Sequence, residues 1–278
     1  DWDVKIYRGV ITGLNEAFII TTEKRNEILA NCKNNAERQR TEAIIKPILR
    51  GRDIKRYEYE WAGLHVIGTF PALKLNIDDY PALKKYFLDN FDIRQLEQSG
   101  KKYPTLGFNA RKKTGNKWFE TQDQIAYYFE FEKEKVVYSE TIKIYFDGTR
   151  NFPRFSYITE EFYLDKTTFF MVGNNQKYLL AVLNSKVGKY LLENGYCIKL
   201  GIGSRGLQKI LIEKLPIPPI TSSNKPIVSQ IEKLVDKTLL AKKSNPKADT
   251  TKWEKEIDSL VYSLYELTEE EIMIIEES

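Results

Sequence analysis

The chain of 278 residues is 42% hydrophobic and has a formal net charge of +4, which predicts a globular protein with one substantial core and a smaller second unit. No stretch approaches the roughly 20 apolar residues that cross a bilayer, so we expect a soluble intracellular chain with no membrane partner. Two cysteines and one histidine argue against a disulfide scaffold, a zinc finger or a histidine-based hydrolase.

The charge is unevenly distributed along the chain. The last 13 residues, ELTEEEIMIIEES, contain six glutamates and no base, whereas the first 265 residues have 43 basic and 33 acidic side chains, a charge of +10. A basic body is typical of a protein that binds a polyanion, with nucleic acid the first candidate. An ordinary basic domain is the open alternative.

The first third of the chain predicts strands and helices in irregular order. Runs rich in β-branched and aromatic residues predict strands over 4–11, 17–21 and 64–70. A helix is predicted over 24–32, with Thr22 as its N-cap, and a second helix begins near Pro81, a residue suited to a first turn.

The middle of the chain continues this mixture. Residues 101–117 contain six basic residues, no acid and three glycine or proline breakers, which predicts a basic loop. Strands are predicted over 135–138, 142–146 and 167–172, and a helix with a broad apolar face over 177–193. Without regular strand–helix alternation, the pattern predicts an α+β fold, a mixed sheet with flanking helices.

The proline-rich segment KLPIPPI at 214–220 predicts a domain boundary, because proline is excluded from helix interiors and central strands. Beyond it, apolar periodicity predicts helices over 226–240 and 251–265, and Thr268 with Glu271 forms a capping signature for a short terminal helix. We therefore divide the chain into residues 1–220 and a C-terminal helical pair with an acidic tail, residues 221–278.

Two glycine-containing stretches resemble phosphate-binding loops. In YRGVITGLNEAFIIT, residues 7–21, the run after Gly13 is predicted to continue as a strand, so no helix N-terminus is available to a phosphate and a turn is favoured. In KLGIGSRGLQ, residues 199–208, the glycine spacing fits a dinucleotide fingerprint, but the downstream acid is missing and prolines follow too soon.

Six stretches in this order resemble the TaqI-like C-terminal specificity domain of adenine-specific DNA methyltransferases and fused type IIG restriction-modification enzymes. Each motif alone is weak, but the order is specific. The stretches are IYRGVITGLNEAFII, IIKPILRGRDIKRY, NKWFETQD, KYLLAVLNSKVGKYLL, LPIPPI and IDSLVYSLYELTEEEI.

The resemblance implies a fold of the DNA methylase specificity-domain type and a role in recognising a double-stranded DNA sequence. It also implies a methyltransferase domain elsewhere in the same polypeptide, which would bind S-adenosylmethionine, and Mg if the parent also cleaves DNA. We therefore expect this part to be no enzyme by itself, to hold no cofactor, and to act in the cytoplasm of a bacterium or archaeon.

DNA recognition needs cations for phosphates and polar side chains for base edges. The segment KPILRGRDIKRY offers Arg50, Arg52, Lys55 and Arg56 against the single acid Asp53. If it is extended, Arg50 and Arg52 share a face and could bind phosphate or guanine. The equally weighted alternative is an internal pair with Asp53 that stabilises a turn.

Two further segments supply candidate DNA ligands. We expect residues 101–117 to form a flexible loop that becomes ordered on the duplex, with a merely solvated loop as the alternative. In residues 203–208, small residues allow DNA to approach the backbone closely, although a plain turn is an alternative. The candidates are Arg111, Lys112, Lys113 and Lys117 in the first segment, and Ser204, Arg205 and Gln208 in the second.

A different class of function stays open at this point. The C-terminal helices and the acidic tail could dock a partner protein, with the basic surface incidental. Grafting residues 1–220 onto a related methyltransferase would distinguish the two functions, because a DNA-recognition domain should transfer the methylated sequence and a docking module should not.

Overall fold

The computed structural model describes residues 3–143, 153–201 and 203–278. No helix in these ranges is long and apolar enough to cross a membrane. The strands are β1 Val4–Arg8, β2 Ile19–Thr21, β3 Ile45–Leu49, β4 Leu64–Ile67, β5 Lys102–Tyr103, β6 Phe108–Asn109, β7 Lys135–Ser139, β8 Thr141–Lys143, β9 Phe155–Ile158, β10 Tyr163–Leu164, β11 Thr168–Gly173, β12 Ile198–Lys199 and β13 Ser204–Gly206. The helices are α1 Asn15–Phe18, α2 Thr22–Ala30, α3 Asn35–Ile44, α4 Pro81–Asn90, α5 Ile93–Leu96, α6 Gln176–Asn184, α7 Lys186–Leu191, α8 Lys209–Ile212, α9 Lys225–Ser244, α10 Thr251–Leu264 and α11 Glu269–Glu277.

The central antiparallel sheet has the strand order β1-β11-β7-β9 and is buried on both faces. Alternate side chains of β7 point to opposite faces: Val136 and Tyr138 belong to one hydrophobic cluster and Val137 to another. This burial explains why the strand is apolar at successive positions instead of alternating with polar residues.

A second sheet, of order β10-β3-β4-β2, is mixed, because β10 runs parallel to β3 while the other neighbours are antiparallel. Val137 and Phe170 of the first sheet share one hydrophobic cluster with Ile48, Val66 and Leu164 of the second. The two sheets therefore pack face to face. The α+β class with mixed sheets and flanking helices is confirmed.

Helices cover the outer faces of both sheets. On the second sheet, Ile20, Ile45 and Ile67 pack with Leu83 and Phe87 of α4. The apolar stripe of that helix and its first-turn proline are both evident in the sequence. The start of the helix is therefore predicted correctly, at Pro81.

The C-terminal helices complete the cluster on the outer face of the central sheet. Ile231 and Val235 of α9 and Ile257 and Val261 of α10 belong to the same cluster as Tyr138 of β7. The two helices pack on each other and on this chain's own core. A domain boundary at residue 220 stays a prediction, and the helices beyond it are needed to cover the sheet.

Local geometry differs from the sequence predictions in three places. The helix predicted over 24–32 begins at Thr22 and is capped by Thr21, whose hydroxyl accepts a hydrogen bond from Lys24 N at 3.3 Å, so the prediction of Thr22 as its N-cap is wrong. Residues 15–18 form a short helix before strand β2 begins at Ile19, where a strand over 17–21 was predicted. The expectation that no helix follows Gly13 is therefore wrong, although this helix has only four residues. The helix predicted over 177–193 is interrupted at Ser185, whose hydroxyl accepts a hydrogen bond from Gly188 N at 3.0 Å. A Cβ on Gly188 would lie 2.3 Å from the carbonyl oxygen of Val182, so the close turn requires glycine.

One helix, α3, was not predicted. Asn34 caps it by accepting a hydrogen bond from Glu37 N at 2.9 Å, and the buried Glu37 carboxylate accepts from Lys33 N and Ala82 N, each at 2.8 Å. Its polar composition gave no apolar stripe, so this tertiary contact is what places the helix. The predicted strand 142–146 is described only to residue 143, and the remainder lies outside the described residues.

Candidate nucleic-acid interface

The turn after β3 is held by an internal ion pair. Nε and Nη2 of Arg50 donate to the two carboxylate oxygens of Asp53 at 3.0 and 2.8 Å, and Arg50 N donates to the same carboxylate at 2.8 Å. These hydrogen bonds raise the pKa of Arg50. For Arg50 the structure therefore shows the internal pair with Asp53, the alternative given equal weight above.

The glycine of this turn allows the turn to approach the central sheet closely. Gly51 N donates to the hydroxyl of Thr167 at 3.0 Å, and a Cβ on Gly51 would lie 2.5 Å from Oγ of Ser139. Any larger residue would displace the Ser139 and Thr167 hydroxyls, and the Thr167 hydroxyl would then lose its hydrogen bond from Gly51 N. Arg52 then projects into solvent, and its side chain forms no ion pair with a described residue.

Lys55 is half-buried beside Arg52. Its ammonium group donates to the Arg52 carbonyl at 3.3 Å and lies 3.7 Å from a carboxylate oxygen of the exposed Glu60. An exposed pair at this distance contributes little to stability, so phosphate could replace Glu60 at small cost.

These residues line a cleft of about 540 Å³ between the turn and strands β7 and β8. Its two carboxylates are engaged internally: Glu140 pairs with Arg8 at 2.9 Å, and Asp165 accepts from the hydroxyl of Thr167 at 2.5 Å. We call it the basic cleft. Its cationic lining residues are Arg50, Arg52, Lys55 and Arg154.

The second candidate segment lies next to this cleft. Strand β13 pairs with β8, so Arg205 is opposite Ile142 and Gly206 is opposite Thr141, both in the cleft wall. Ser204, at the start of β13, is opposite Lys143. The structure thus brings the segments near residues 50 and 205 together on one side of the molecule, although 155 positions separate these two residues.

The candidate side chains in and after β13 differ in availability. Arg205 is 18% exposed and lies 3.6 Å from Glu193, and its Nε is buried without a hydrogen-bond partner. Ser204 is half-buried and Gln208 is exposed. Gly201 and Gly203 have φ near +72°, as a tight hairpin between β12 and β13 requires, so the turn interpretation holds for the glycines.

Arg56 is mostly buried and paired within the protein, which argues against its prediction as a DNA ligand. Its guanidinium donates to Glu254 of α10 at 2.7 Å and to the carbonyl of Asn184, and it lies over the Tyr57 ring. The side chain is 18% exposed. Arg56 joins the C-terminal helices to the body of the protein, so we remove it from the DNA-binding candidates.

A buried carboxyl accompanies this junction. Asp258 is 7% exposed and accepts a hydrogen bond from Lys186 N at 2.8 Å. Burial raises its pKa to about 6, opposed by that hydrogen bond and by Arg56 and Lys186, whereas Glu276 adds to the rise. The folded protein therefore holds a proton that the unfolded chain releases above its ordinary pKa of 3.8.

Stability should consequently decrease as pH rises from about 4 to 6, by about 2–3 kcal/mol for this group alone. Asp258→Asn keeps the acceptor oxygen and removes the titration, so the difference in unfolding free energy between variant and wild type should grow over this window. Urea unfolding at several pH values measures it. Glu256→Gln, an exposed change on the same helix, is the control, and parallel curves for wild type and Asp258→Asn would contradict the assignment.

Arg111 is also buried, which corrects its prediction as a DNA ligand. It is 4% exposed and stacks 4.8 Å from the centre of the Phe18 ring. Burial lowers its pKa to about 10, with Glu120 acting in the opposite direction. Its guanidinium donates to the carbonyl oxygens of Leu96, Thr12, Glu120 and Trp118 at 2.8, 2.8, 2.8 and 2.6 Å.

The lysines near Arg111 remain exposed. Lys112 and Lys113 form no ion pair with a described residue, and Lys117 donates to the carbonyl of Leu75 at 3.3 Å while lying 5.5 Å from the centre of the Phe119 ring. Phe119 belongs to the cluster on the second sheet, so this basic group is carried by a different layer from the basic cleft.

Sequence reasoning missed Arg154 and the role of strand β8 in the cleft. Nothing in the local pattern marks them, because the cleft forms only when residues 50–55, 139–142, 154 and 165–167 come together. A family model of the TaqI-like C-terminal specificity domain matches residues 46–217.

The chain belongs to this family.

The match includes every residue that lines the basic cleft and most strands of both sheets, although β1 and β2 lie before it. The specificity domain here is therefore the part that carries the candidate interface. Among curated proteins, the type II methyltransferase M.BstVI of Geobacillus stearothermophilus is 24% identical over 282 residues, which cover 99% of this chain and 41% of that protein. The chain thus spans less than half the length of this relative.

Two solved structures are also similar. MmeI, a type IIL restriction-modification enzyme solved in complex with DNA, aligns with a TM-score of 0.58 and 12% identity over 95% of this chain and 33% of its own. This likeness shows a shared fold. The type IIG restriction endonuclease BpuSI aligns at 15% identity over 94% of this chain and 30% of its own, with a TM-score of 0.46 that is too low to define a common fold.

Proposed function

We propose that this specificity domain binds double-stranded DNA and selects the sequence on which a restriction-modification enzyme acts. The observation that carries the proposal is the basic cleft, where Arg52 is exposed with no ion pair to a described residue and Lys55 has only a weak pair with the exposed Glu60. An exposed arginine beside a lysine is suited to neutralising phosphates and so to setting the position of the domain on the duplex.

In this proposal an adenine methyltransferase domain of the same polypeptide is placed on the target by the specificity domain. That domain would bind S-adenosylmethionine, and Mg would be needed by a nuclease domain if the parent also cleaves. The specificity domain itself contributes DNA contacts and no chemical step, and DNA as the partner implies action in the cytoplasm.

The docking-module alternative depends on α9 and α10. Their apolar faces are buried against the chain's own sheet, as are Ile231 and Val261, so these faces are not available to a partner protein. The exposed apolar side chains on the C-terminal helices include Leu240, Met273 and Ile274. These scattered residues do not form the continuous stripe that helix-in-groove docking uses.

The cleft predicts a defined loss of DNA affinity. Arg52→Ala with Lys55→Ala should reduce affinity of the 278-residue chain for duplex by about tenfold at low salt, and should make the slope of log K against log salt shallower by about 1.8, because two phosphate contacts are lost. Fluorescence anisotropy over a salt series measures both quantities.

The matched control is Lys225→Ala with Lys237→Ala, which removes two exposed lysines of α9. Equal slopes for the cleft variant and this control would reject the cleft as the phosphate-binding surface. Sequence choice is tested by grafting the whole chain onto a related methyltransferase, since residues 221–278 share the core with the rest. Methylation at the host's original sequence would reject the proposed function.

A further inference from the structure

The basic segment 101–117 contains a β-hairpin, which the sequence did not predict. Strands β5 and β6 pair Lys102 with Asn109 and Tyr103 with Phe108. Below them, Ala110 N donates to the Lys101 carbonyl at 2.9 Å, which extends the ribbon toward the body of the protein.

The hairpin is anchored firmly at its base. Gly100 N donates to the Arg111 carbonyl and Arg111 N to the Glu97 carbonyl, each at 2.9 Å, while the Arg111 side chain holds four further carbonyls. Such an anchor gives the ribbon a defined direction before any ligand binds. Preorganisation of this kind lowers the entropic cost of binding.

The tip of the hairpin projects into solvent. A Cβ on Gly107 would have no heavy atom within 4 Å, Leu106 is 43% exposed and Thr105 is exposed. The left-handed φ of +73° at Gly107 reverses the chain. Leu106 at this tip is therefore free to make an apolar contact with a ligand.

The two faces of the ribbon differ in chemistry. Tyr103 and Phe108 form a ring pair 5.7 Å apart on one face, with the Arg94 guanidinium 5.8 Å from the centre of the Tyr103 ring. Because side chains alternate across a strand, Lys102 and Asn109 occupy the opposite face, directly across from each other, and both are exposed.

Positive charge surrounds this ribbon without an acid between residues 98 and 117. None of its exposed lysines forms an ion pair with any residue of the described ranges. A polyanion is therefore the complementary partner. The exposed lysines are Lys101, Lys102, Lys112, Lys113 and Lys117.

We infer that the hairpin enters the major groove of the duplex and that Lys102 and Asn109 contact base edges there. The inference rests on the proposed function and names the residues that would choose the sequence. The major groove admits a two-stranded β-ribbon. Asparagine bonds N6 and N7 of adenine and lysine bonds O6 and N7 of guanine, while Leu106 and Thr105 at the tip suit the thymine methyl group.

Selection from a randomised duplex pool by the 278-residue chain tests this inference. The wild type should enrich one motif. Asn109→Ala and Lys102→Ala should each lose preference at one base pair, by about 5- to 150-fold, and keep the rest of the motif. Asn35→Ala and Lys237→Ala are exposed matched controls that should enrich the wild-type motif.

The groove is tested with 7-deazaadenine, which lacks the N7 acceptor presented in the major groove. The 7-deazaadenine replaces the adenine of the base pair at which Asn109→Ala loses its preference. This replacement should weaken binding by the wild type and leave binding by Asn109→Ala unchanged. A motif that is identical in all variants would overturn the hairpin inference while leaving DNA recognition intact. Duplex binding without any enriched motif would overturn it too, and no duplex binding at all would overturn the proposed function with it.

Discussion

Replacing Arg111 with methionine is expected to lower the free energy of unfolding by about 3–5 kcal/mol. The guanidinium donates to four backbone carbonyls inside the protein. The methionine would leave the Leu96, Thr12 and Trp118 carbonyls without this donor, whereas the Glu120 carbonyl would keep its hydrogen bond from Gln98 Nε2 at 3.0 Å. Each loss costs roughly 1 kcal/mol, and more where the donor is charged. Urea unfolding followed by circular dichroism measures the change.

Lys112→Met is the control. It also removes one positive charge, but from the exposed side chain of the neighbouring residue. It should change the free energy of unfolding by less than about 0.5 kcal/mol. Arg111→Lys keeps the charge but lacks the planar array of donors, so an intermediate loss is expected. If Arg111→Met is as stable as Lys112→Met, the four hydrogen bonds do not hold this part of the fold.

The elements that were predicted from the sequence are those whose signals are local. Helix α4 has a first-turn proline and an apolar stripe, and α11 has its capping box, Thr268 and Glu271, which the structure shows in full. Helix α3 is polar along its length, and the contact that places it comes from Ala82, on a helix far along the chain. A local pattern cannot contain that information.

The roles of the candidate site residues also depend on contacts that a local sequence pattern does not contain. Residue type identified Arg50, Arg56 and Arg111 as cations, but their roles depend on partners: an aspartate three positions away, a glutamate 198 positions away and four backbone carbonyls. Backbone carbonyls are identical at every position of a sequence, so a buried arginine that binds them resembles a surface one. Only Asp53 was close enough in sequence for the internal pair to be foreseen.

The basic cleft was foreseen in part for a related reason. Arg52 and Lys55 lie in one short basic segment, and composition suffices to identify such a cluster. Arg154 and the β8 wall come from elsewhere in the chain and meet that segment only through the strand order of the sheets. The family resemblance led to the proposed function, DNA recognition. The structure shows which cations line the same cleft.

The second large effect is expected at the junction with the C-terminal helices. Arg56→Met should lower the free energy of unfolding by about 3 kcal/mol, because it removes the donor to the Asn184 carbonyl and leaves the Glu254 carboxylate with the Thr250 hydroxyl and no cationic donor. Since Arg56 lines a different cavity from Arg52 and Lys55, duplex affinity should stay at the wild-type value. Urea unfolding and anisotropy measure the two quantities separately.

A double-mutant cycle distinguishes loss of the pair from loss of packing. Glu254→Met alone should also destabilise the protein, since it leaves a partly buried guanidinium unpaired. The double variant Arg56→Met/Glu254→Met should recover 1 kcal/mol or more, roughly, relative to the sum of the single losses, because neither charge then remains buried alone. Strictly additive losses would show that the two side chains act independently, and a fall in duplex affinity with Arg56→Met would return Arg56 to the DNA interface.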